Sequence, residues 1–252
     1  MKILVTGHRG FIGSNLFPKL ESLGHKVKGF EWGEVFPNND FDIIMHLGAI
    51  SSTNEKDVNK VMRQNYDFSV WLLEYCNENG INLQYSSSAS VYGLGTEFAE
   101  TSPVDPRSAY AWSKYMFERY VSSKSFDIKV QGFRYFNVYG PGEDHKPQPS
   151  PFHTFAKADT IKLFNGSYFI KRDFVPVEKV VNTHIEFLKV PESGIWNVGS
   201  GKAISFVDVA DTFKKPVHYI EMPSDLRASY QNYTCSDNTK FDATVKKYGL
   251  TI

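Results

Sequence analysis

The sequence predicts an α/β fold, a doubly wound parallel sheet with a small mixed C-terminal region, and three observations carry that prediction. Up to Tyr135, short apolar or β-branched runs alternate with longer amphipathic stretches, the rhythm of parallel strands joined by crossover helices. The first of these runs leads directly into a glycine-rich turn that opens a helix. After Tyr139 the rhythm breaks in "YGPGEDHKPQPSPFH", whose prolines and glycines mark a junction.

The elements follow in chain order. "KILVT" (2–6) reads as a buried strand and "FIGSNLFPKLESLG" (11–24) as a helix that Gly24 ends. "HKVKGFE" (25–31) is a second strand and "FDIIMHLGA" (41–49) a third. A long helix then runs through 58–80, its apolar positions recurring at three and four. "INLQYSSSA" (81–89) is the fourth strand, "SAYAWSKYMFERYVSSK" (108–124) a helix and "DIKVQGFRYF" (127–136) the fifth strand. Beyond the junction come a strand "IKLFNG" (161–166), a helix over 177–190, a strand "GIWNVGSG" (194–201) and a last helix over 238–249. This divides the chain into an N-terminal unit, 1–138, and a smaller unit, 139–252, able to close over the carboxyl ends of the strands, where open α/β sheets bind ligands.

Composition narrows the classes of function. A chain of 252 residues, 41% of them hydrophobic, can bury a sizeable core. Twenty-eight basic residues balance twenty-eight acidic ones, so no field favours nucleic acid or an anionic membrane. No apolar run approaches the roughly 18 residues of a membrane span, and "MKILVTGHRG" goes straight into a strand instead of a leader, so a cytoplasmic protein is expected. Cys76 and Cys235 fit no CxxC or His pattern, and we expect neither a disulfide nor a metal.

Gly7, Gly10 and Gly13 follow the first strand and open the first helix. Glycine there permits a tight turn and close backbone approach, and the helix N-terminus offers free N–H groups to a pyrophosphate, which points to a Rossmann-like dinucleotide site. Glu31, at the end of the second strand, suits the ribose hydroxyls of NAD, whereas Arg9 inside the loop suits a 2′-phosphate. The two argue in opposite directions, and either also reads as a solvated surface charge. Tyr110 and Lys114 lie four apart on one helical face, where an ammonium favours the phenolate of a tyrosine base. Ser88 leaves the end of the fourth strand within reach of the same substrate oxygen.

Taken in order, the glycine loop, Ser88 and the YxxxK pair resemble the extended short-chain dehydrogenase/reductase family of NAD-dependent epimerases and dehydratases. The resemblance implies Ser88, Tyr110 and Lys114 as catalytic residues. It also implies Phe11, Ile12, Leu47, Gly48, Ala49 and Asn65 as further cofactor contacts, with NADP as cofactor and NAD the alternative. Members that dehydrate carry an acid soon after the catalytic Ser, but here Ala89, Ser90 and Val91 follow Ser88. Within the family, "GAISSTNE" (48–55), "GFRYFNVYGPGEDHK" (132–146), "KLFNGSYFIKRDFV" (162–175), "SGIWNVGSGKAISFVDVAD" (193–211) and "YQNYT" (230–234) are similar to segments of the ADP-heptose 6-epimerases, in a shortened form. That branch implies Lys146 as a second acid/base group opposite Tyr110. It implies Ser51, Ser52, Ser88, Asn137, His145, Phe164, Arg172 and Tyr230 as contacts of a nucleotide-sugar substrate. It also implies that 174–200 partly returns to the first unit. The interval from Trp32 to Phe41 is too short for the extra strand, and the Asp-Leu or Asp-Ile pair against adenine, that the family usually has. A nucleotide-sugar epimerase is therefore expected, in a homo-oligomer. A one-way NADPH-dependent keto-sugar reductase, another nucleotide-sugar epimerase and a non-catalytic dinucleotide-binding protein are the alternatives.

Overall fold

Strands covered on both faces need nearly continuous apolar runs, and β1 (Lys2–Thr6) is buried from Ile3 onward. A computed structural model describes residues 1–37, 40–227 and 230–252, without the side chains of His145 and Asp225. After β1 come α1 (Phe11–Ser22), β2 (Lys26–Phe30) and β3 (Ile43–His46). Gly24, in the left-handed region at φ 81°, closes α1 by donating to Glu21 O at 2.9 Å. The helix expected over 58–80 is present but not uniform. It begins as α2 (Val58–Val61), loosens into a π-helical turn over Met62–Asp67 and resumes as α3 (Phe68–Glu78). Next are β4 (Asn82–Ser88), α4 (Ala109–Ser123) and β5 (Val130–Tyr135).

The C-terminal half holds more structure than its pattern announced: β6 (Asn137–Tyr139), α5 (Pro151–Lys157), β7 (Ile161–Phe164), β8 (Lys171–Pro176), α6 (Val177–Glu186), β9 (Gly194–Val198), β10 (Ala203–Ser205), α7 (Phe206–Asp211), β11 (Val217–Ile220), α8 (Ser224–Arg227) and α9 (Thr239–Tyr248).

The main sheet has six parallel strands in the order β2-β1-β3-β4-β5-β9. Strand order reverses between β1 and β3, which opens a crevice above their carboxyl ends. One face of the sheet packs on α1, α6 and α9 through Leu16, Leu20, Val180, Phe187 and Phe241. The other packs on α3 and α4 through Leu72, Leu73, Cys76 and Phe117. The chain returns to this sheet through α6 and β9, and α9, on the C-terminal side of the expected boundary, lies in the same core. A third cluster, around Phe155, Leu163 and Phe174, holds the smaller layer, where β8 pairs with β6 and β10 and β7 with β11. Cys76 and Cys235 are free thiols. Among the described residues no helix is long and apolar enough to cross a membrane.

Candidate active site

The crevice is built from loops that touch. A Cβ on Gly7 would lie 2.6 Å from the Gly48 backbone, and one on Gly13 would lie 2.1 Å from Gly7 O. Only glycine lets the turns after β1 and β3 meet while α1 points its N-terminus into the crevice. Below them runs a buried polar chain. The Gly48 N–H donates to Thr6 Oγ1 at 3.1 Å, and Thr6 Oγ1 lies 2.6 Å from His46 Nδ1. His46 Nε2 lies 2.8 Å from Ser69 Oγ, which donates to Asn65 O. Burial, and then the charge of Lys114, push the His46 pKa down to about 3. The ring is therefore neutral, and the network assigns its proton to Nε2.

Asn65 lies in the π turn, a distortion frequent at functional sites. Its Oδ1 accepts from Ile50 N at 2.8 Å, and its Nδ2 donates to Ile50 O at 3.0 Å and to Ser113 Oγ at 3.1 Å. Ser113 in turn donates to Tyr110 O at 2.7 Å. One buried amide thus fixes the segment after β3, including Ala49, relative to the helix that carries Tyr110 and Lys114.

Ser108 caps α4 by accepting from Ala111 N at 3.1 Å, which places Tyr110 in the first helical turn. Lys114 donates to Ser86 O at 2.9 Å and lies 6.0 Å from the centre of the Tyr110 ring. Burial lowers its pKa to about 8, against a smaller opposing pull from Glu118. Burial also raises the Tyr110 pKa, which a hydrogen bond with Ser88 partly offsets. The three residues form one group, in which burial favours the neutral phenol.

Lys146 ends the junction loop on the other side of the glycine turn. Its amine donates to Val138 O at 2.9 Å and to Glu143 Oε2 at 3.2 Å, and lies 4.9 Å over the Phe11 ring at the start of α1. Burial lowers its pKa and Glu143 opposes that shift. Glu143, which the sequence reading passed over, is the anchor of this loop. Its buried carboxylate accepts from Ser150 N at 2.5 Å, Ser150 Oγ at 2.7 Å and Gly140 N at 3.0 Å. Burial raises its pKa, but the bonds from Ser150 and Gly140 and the charge of Lys146 outweigh that and hold it below the usual range. The available signal was an acid three residues before the lysine, within reach of it on one turn. Thr53 donates to Gln148 at 3.3 Å, which ties the loop of Ser51 and Ser52 to that of Lys146.

On the far side, Arg172 is buried on β8. Its charge sits 5.2 Å over the Tyr230 ring, and Tyr230 lies 6.1 Å from the Phe164 ring, edge to face. Burial lowers its pKa to about 10, and among the described residues no carboxylate pairs with it. Asn137 is exposed at the start of β6. The side chain of His145 lies outside the described residues.

At the opposite end, Glu31 accepts from the Arg9 N–H at 2.7 Å, and the Arg9 guanidinium pairs with Glu34 at 3.0 Å. A cleft of about 220 Å³ adjoins them, lined among others by Thr6, Gly7, Glu31, Gly48 and Ala49.

The family model for "NAD dependent epimerase/dehydratase family" matches residues 3–32 and 28–199. The chain belongs to that family. It is 36% identical to an ADP-L-glycero-D-manno-heptose-6-epimerase of Brachyspira hyodysenteriae, covering 96% of this chain and 91% of that protein. The crystal structure of the Helicobacter pylori enzyme of the same name superposes with a TM-score of 0.87 at 27% identity, over 99% of this chain and 90% of that one. Thermus thermophilus UDP-glucose 4-epimerase, solved with NAD, gives 0.82 at 26% identity over 100% and 95%. The chain shares the fold of these family members and is an enzyme of their kind.

Proposed function

We infer that this enzyme is a nucleotide-sugar epimerase acting on an ADP-glycero-manno-heptose, inverting one carbinol carbon by transient oxidation and re-reduction. The observation that carries the reading is a second lysine, Lys146, held against the glycine loop in addition to the Ser88, Tyr110 and Lys114 group. A bound nicotinamide dinucleotide would supply the hydride acceptor and donor. Gly7, Gly10, Gly13 and the N-terminus of α1 would take its pyrophosphate, and Lys114 its nicotinamide ribose. Glu31 would take the adenosine ribose.

Inversion requires proton exchange with one oxygen presented from two sides. Tyr110 serves the first side. As the phenolate, which the Lys114 ammonium favours, it would take the substrate hydroxyl proton on oxidation, and as the resulting phenol it would return that proton on re-reduction. Ser88 holds the same oxygen by a hydrogen bond. Lys146 serves the second side, its amine made a better proton donor by burial and kept in place by Glu143. Arg172 would hold the diphosphate of the substrate, with Tyr230 and Phe164 beside it.

Arg9 is the residue that would suit the 2′-phosphate of NADP, and its surroundings turn the reading toward NAD. The guanidinium is already neutralised by Glu34, and Glu31 adds a second carboxylate beside it, so a 2′-phosphate would meet two negative charges. Exposed Trp71, Trp112 and Met116 on α3 and α4 support the expectation of a homo-oligomer, and a cytoplasmic location remains the reading.

Purified protein should interconvert the two C6 epimers of ADP-glycero-manno-heptose, followed by NMR, with no reductant added. Lys146→Met should slow this about 10²- to 10⁴-fold and leave dinucleotide binding intact. Conversion that requires stoichiometric NADPH would overturn the proposal in favour of a one-way keto-sugar reductase.

A further inference from the structure

The segment that replaces the family's usual outer strand is built as a display for one aromatic ring. Where β2 ends the chain turns tightly: Glu34 N donates to Glu31 O at 3.1 Å, and Glu31 N donates to the Glu34 carboxylate at 3.0 Å. The Arg9–Glu34 ion pair and the Arg9 N–H to Glu31 bond fasten this turn to the glycine loop. Its second residue, Trp32, is 47% exposed. The indole meets the Phe68 ring edge to face, 5.3 Å between centres. Phe68 also stacks with Phe30, at 5.7 Å, and with Trp71, at 5.5 Å, which backs this wall with two further rings.

Trp32 and Phe68, with Phe30, Ile50 and Gln64, line the 220 Å³ cleft beside Gly7 and Gly48. That volume is below the roughly 300–1,000 Å³ of a whole ligand pocket and suits a single ring system. The Gln64 side-chain amide makes no hydrogen bond to the described residues, whereas its neighbour Asn65 is fully engaged. The same cleft is lined by Gly7 of the glycine loop and by Glu31. A dinucleotide with its pyrophosphate on the loop and its ribose on Glu31 therefore has its base within reach of the aromatic end of this cleft.

We propose that Trp32, Phe68 and Gln64 form the adenine subsite of this enzyme, replacing the strand-borne contacts that the chain lacks. The base lies against the Trp32 indole, and the Gln64 amide pairs with adenine N6 and N7, a pattern that glutamine matches with one acceptor and one donor. This rests on the dinucleotide reading above.

The test uses the full chain freed of bound nucleotide, with affinities for ADP-ribose and nicotinamide mononucleotide measured by calorimetry and by quenching of tryptophan emission. Trp32→Ala should weaken ADP-ribose binding about 10-fold or more, the range for one base on one aromatic ring, and leave nicotinamide mononucleotide binding unchanged. Trp32→Phe should restore most of the affinity. Gln64→Leu should cost about 2- to 10-fold. If Trp32→Ala binds ADP-ribose as the parent does, the subsite assignment is wrong while the dinucleotide reading stands. If the parent binds neither ADP-ribose nor NAD, both fall.

Discussion

Arg134 on β5 and Arg172 on β8 are almost equally hidden, 5% and 7% exposed, yet their surroundings treat their charges in opposite ways. Arg134 lies in the main sheet and grips Glu118 with two bonds, at 2.9 and 2.6 Å, while Tyr92 accepts a third at 2.9 Å. Burial works against its charge, but Glu118 and Tyr92 more than offset that and raise its pKa. Arg172 has one long bond, 3.3 Å to Lys171 O, and the face of Tyr230. A cation satisfied from within holds the fold together. A cation hidden without a counter-charge weakens the fold, and it is suited to an anion that arrives with the substrate.

The largest effect expected from this contrast is on Arg134. Arg134→Met leaves the Glu118 carboxylate buried with the Ser87 hydroxyl as its one hydrogen-bond partner among the described residues, at a cost of about 3–5 kcal/mol. The melting temperature should fall by roughly 10 °C. A variant that melts like the parent would show that the pair does not hold the sheet.

Lys114 is a third hidden cation and sharpens the comparison through pH. Its pKa is about 8 in the folded chain against 10.5 for a free lysine. Below pH 8 both states hold the proton and the full cost of burying the charge is present. Between 8 and 10.5 the unfolded chain keeps the proton while the folded one releases it, so stability rises with pH. The gain should approach about 3 kcal/mol. Denaturant midpoints should show Lys114→Met more stable than the parent at pH 7, with the gap closing towards pH 10.5. A constant gap would place the lysine among ordinary surface cations.

The smallest effect on the fold belongs to Arg172. Arg172→Met should leave the melting temperature unchanged or raise it slightly, while affinity for ADP falls about 10- to 100-fold, as loss of charged hydrogen bonds implies. A melting loss like that of Arg134→Met would break the distinction between the two arginines.

The main sheet was legible because its strands are short apolar runs separated by long amphipathic ones, and β9 could be read from "GIWNVGSG" even though it returns from far along the chain. The β6, β8, β10 and β11 strands were not legible. "NVY" is too short for a period, "KRDFVP" mixes charge with apolar residues because Arg172 and Asp173 are buried for other reasons, and the β11 run "VHYI" is largely exposed. Asp173 accepts from Ser200 N, Gly201 N and Ser236 N, so a burial pattern alone would have misread it. The π turn escaped because the buried positions across it, Val61, Asn65, Ser69 and Leu72, recur at four, four and three, the spacing of an uninterrupted α-helix. In the candidate site, Tyr110 and Lys114 stood out by their four-residue spacing and Ser88 by its place at the end of a strand. Their supports His46 and Ser113 did not, since each acts through a partner distant in sequence.

The shortened segment after β2 also bears on how copies of the enzyme avoid one another. β2 is the last strand of its sheet and, among the described residues, pairs only with β1, which leaves its outer edge open. Lys26 and Lys28 both stand on this strand with their side chains exposed. A foreign strand aligning there would bring its own backbone against that pair of ammonium groups, which is how an open sheet edge is kept from recruiting a neighbour. Solubility at high concentration should therefore depend on two residues to which no part in the chemistry is assigned.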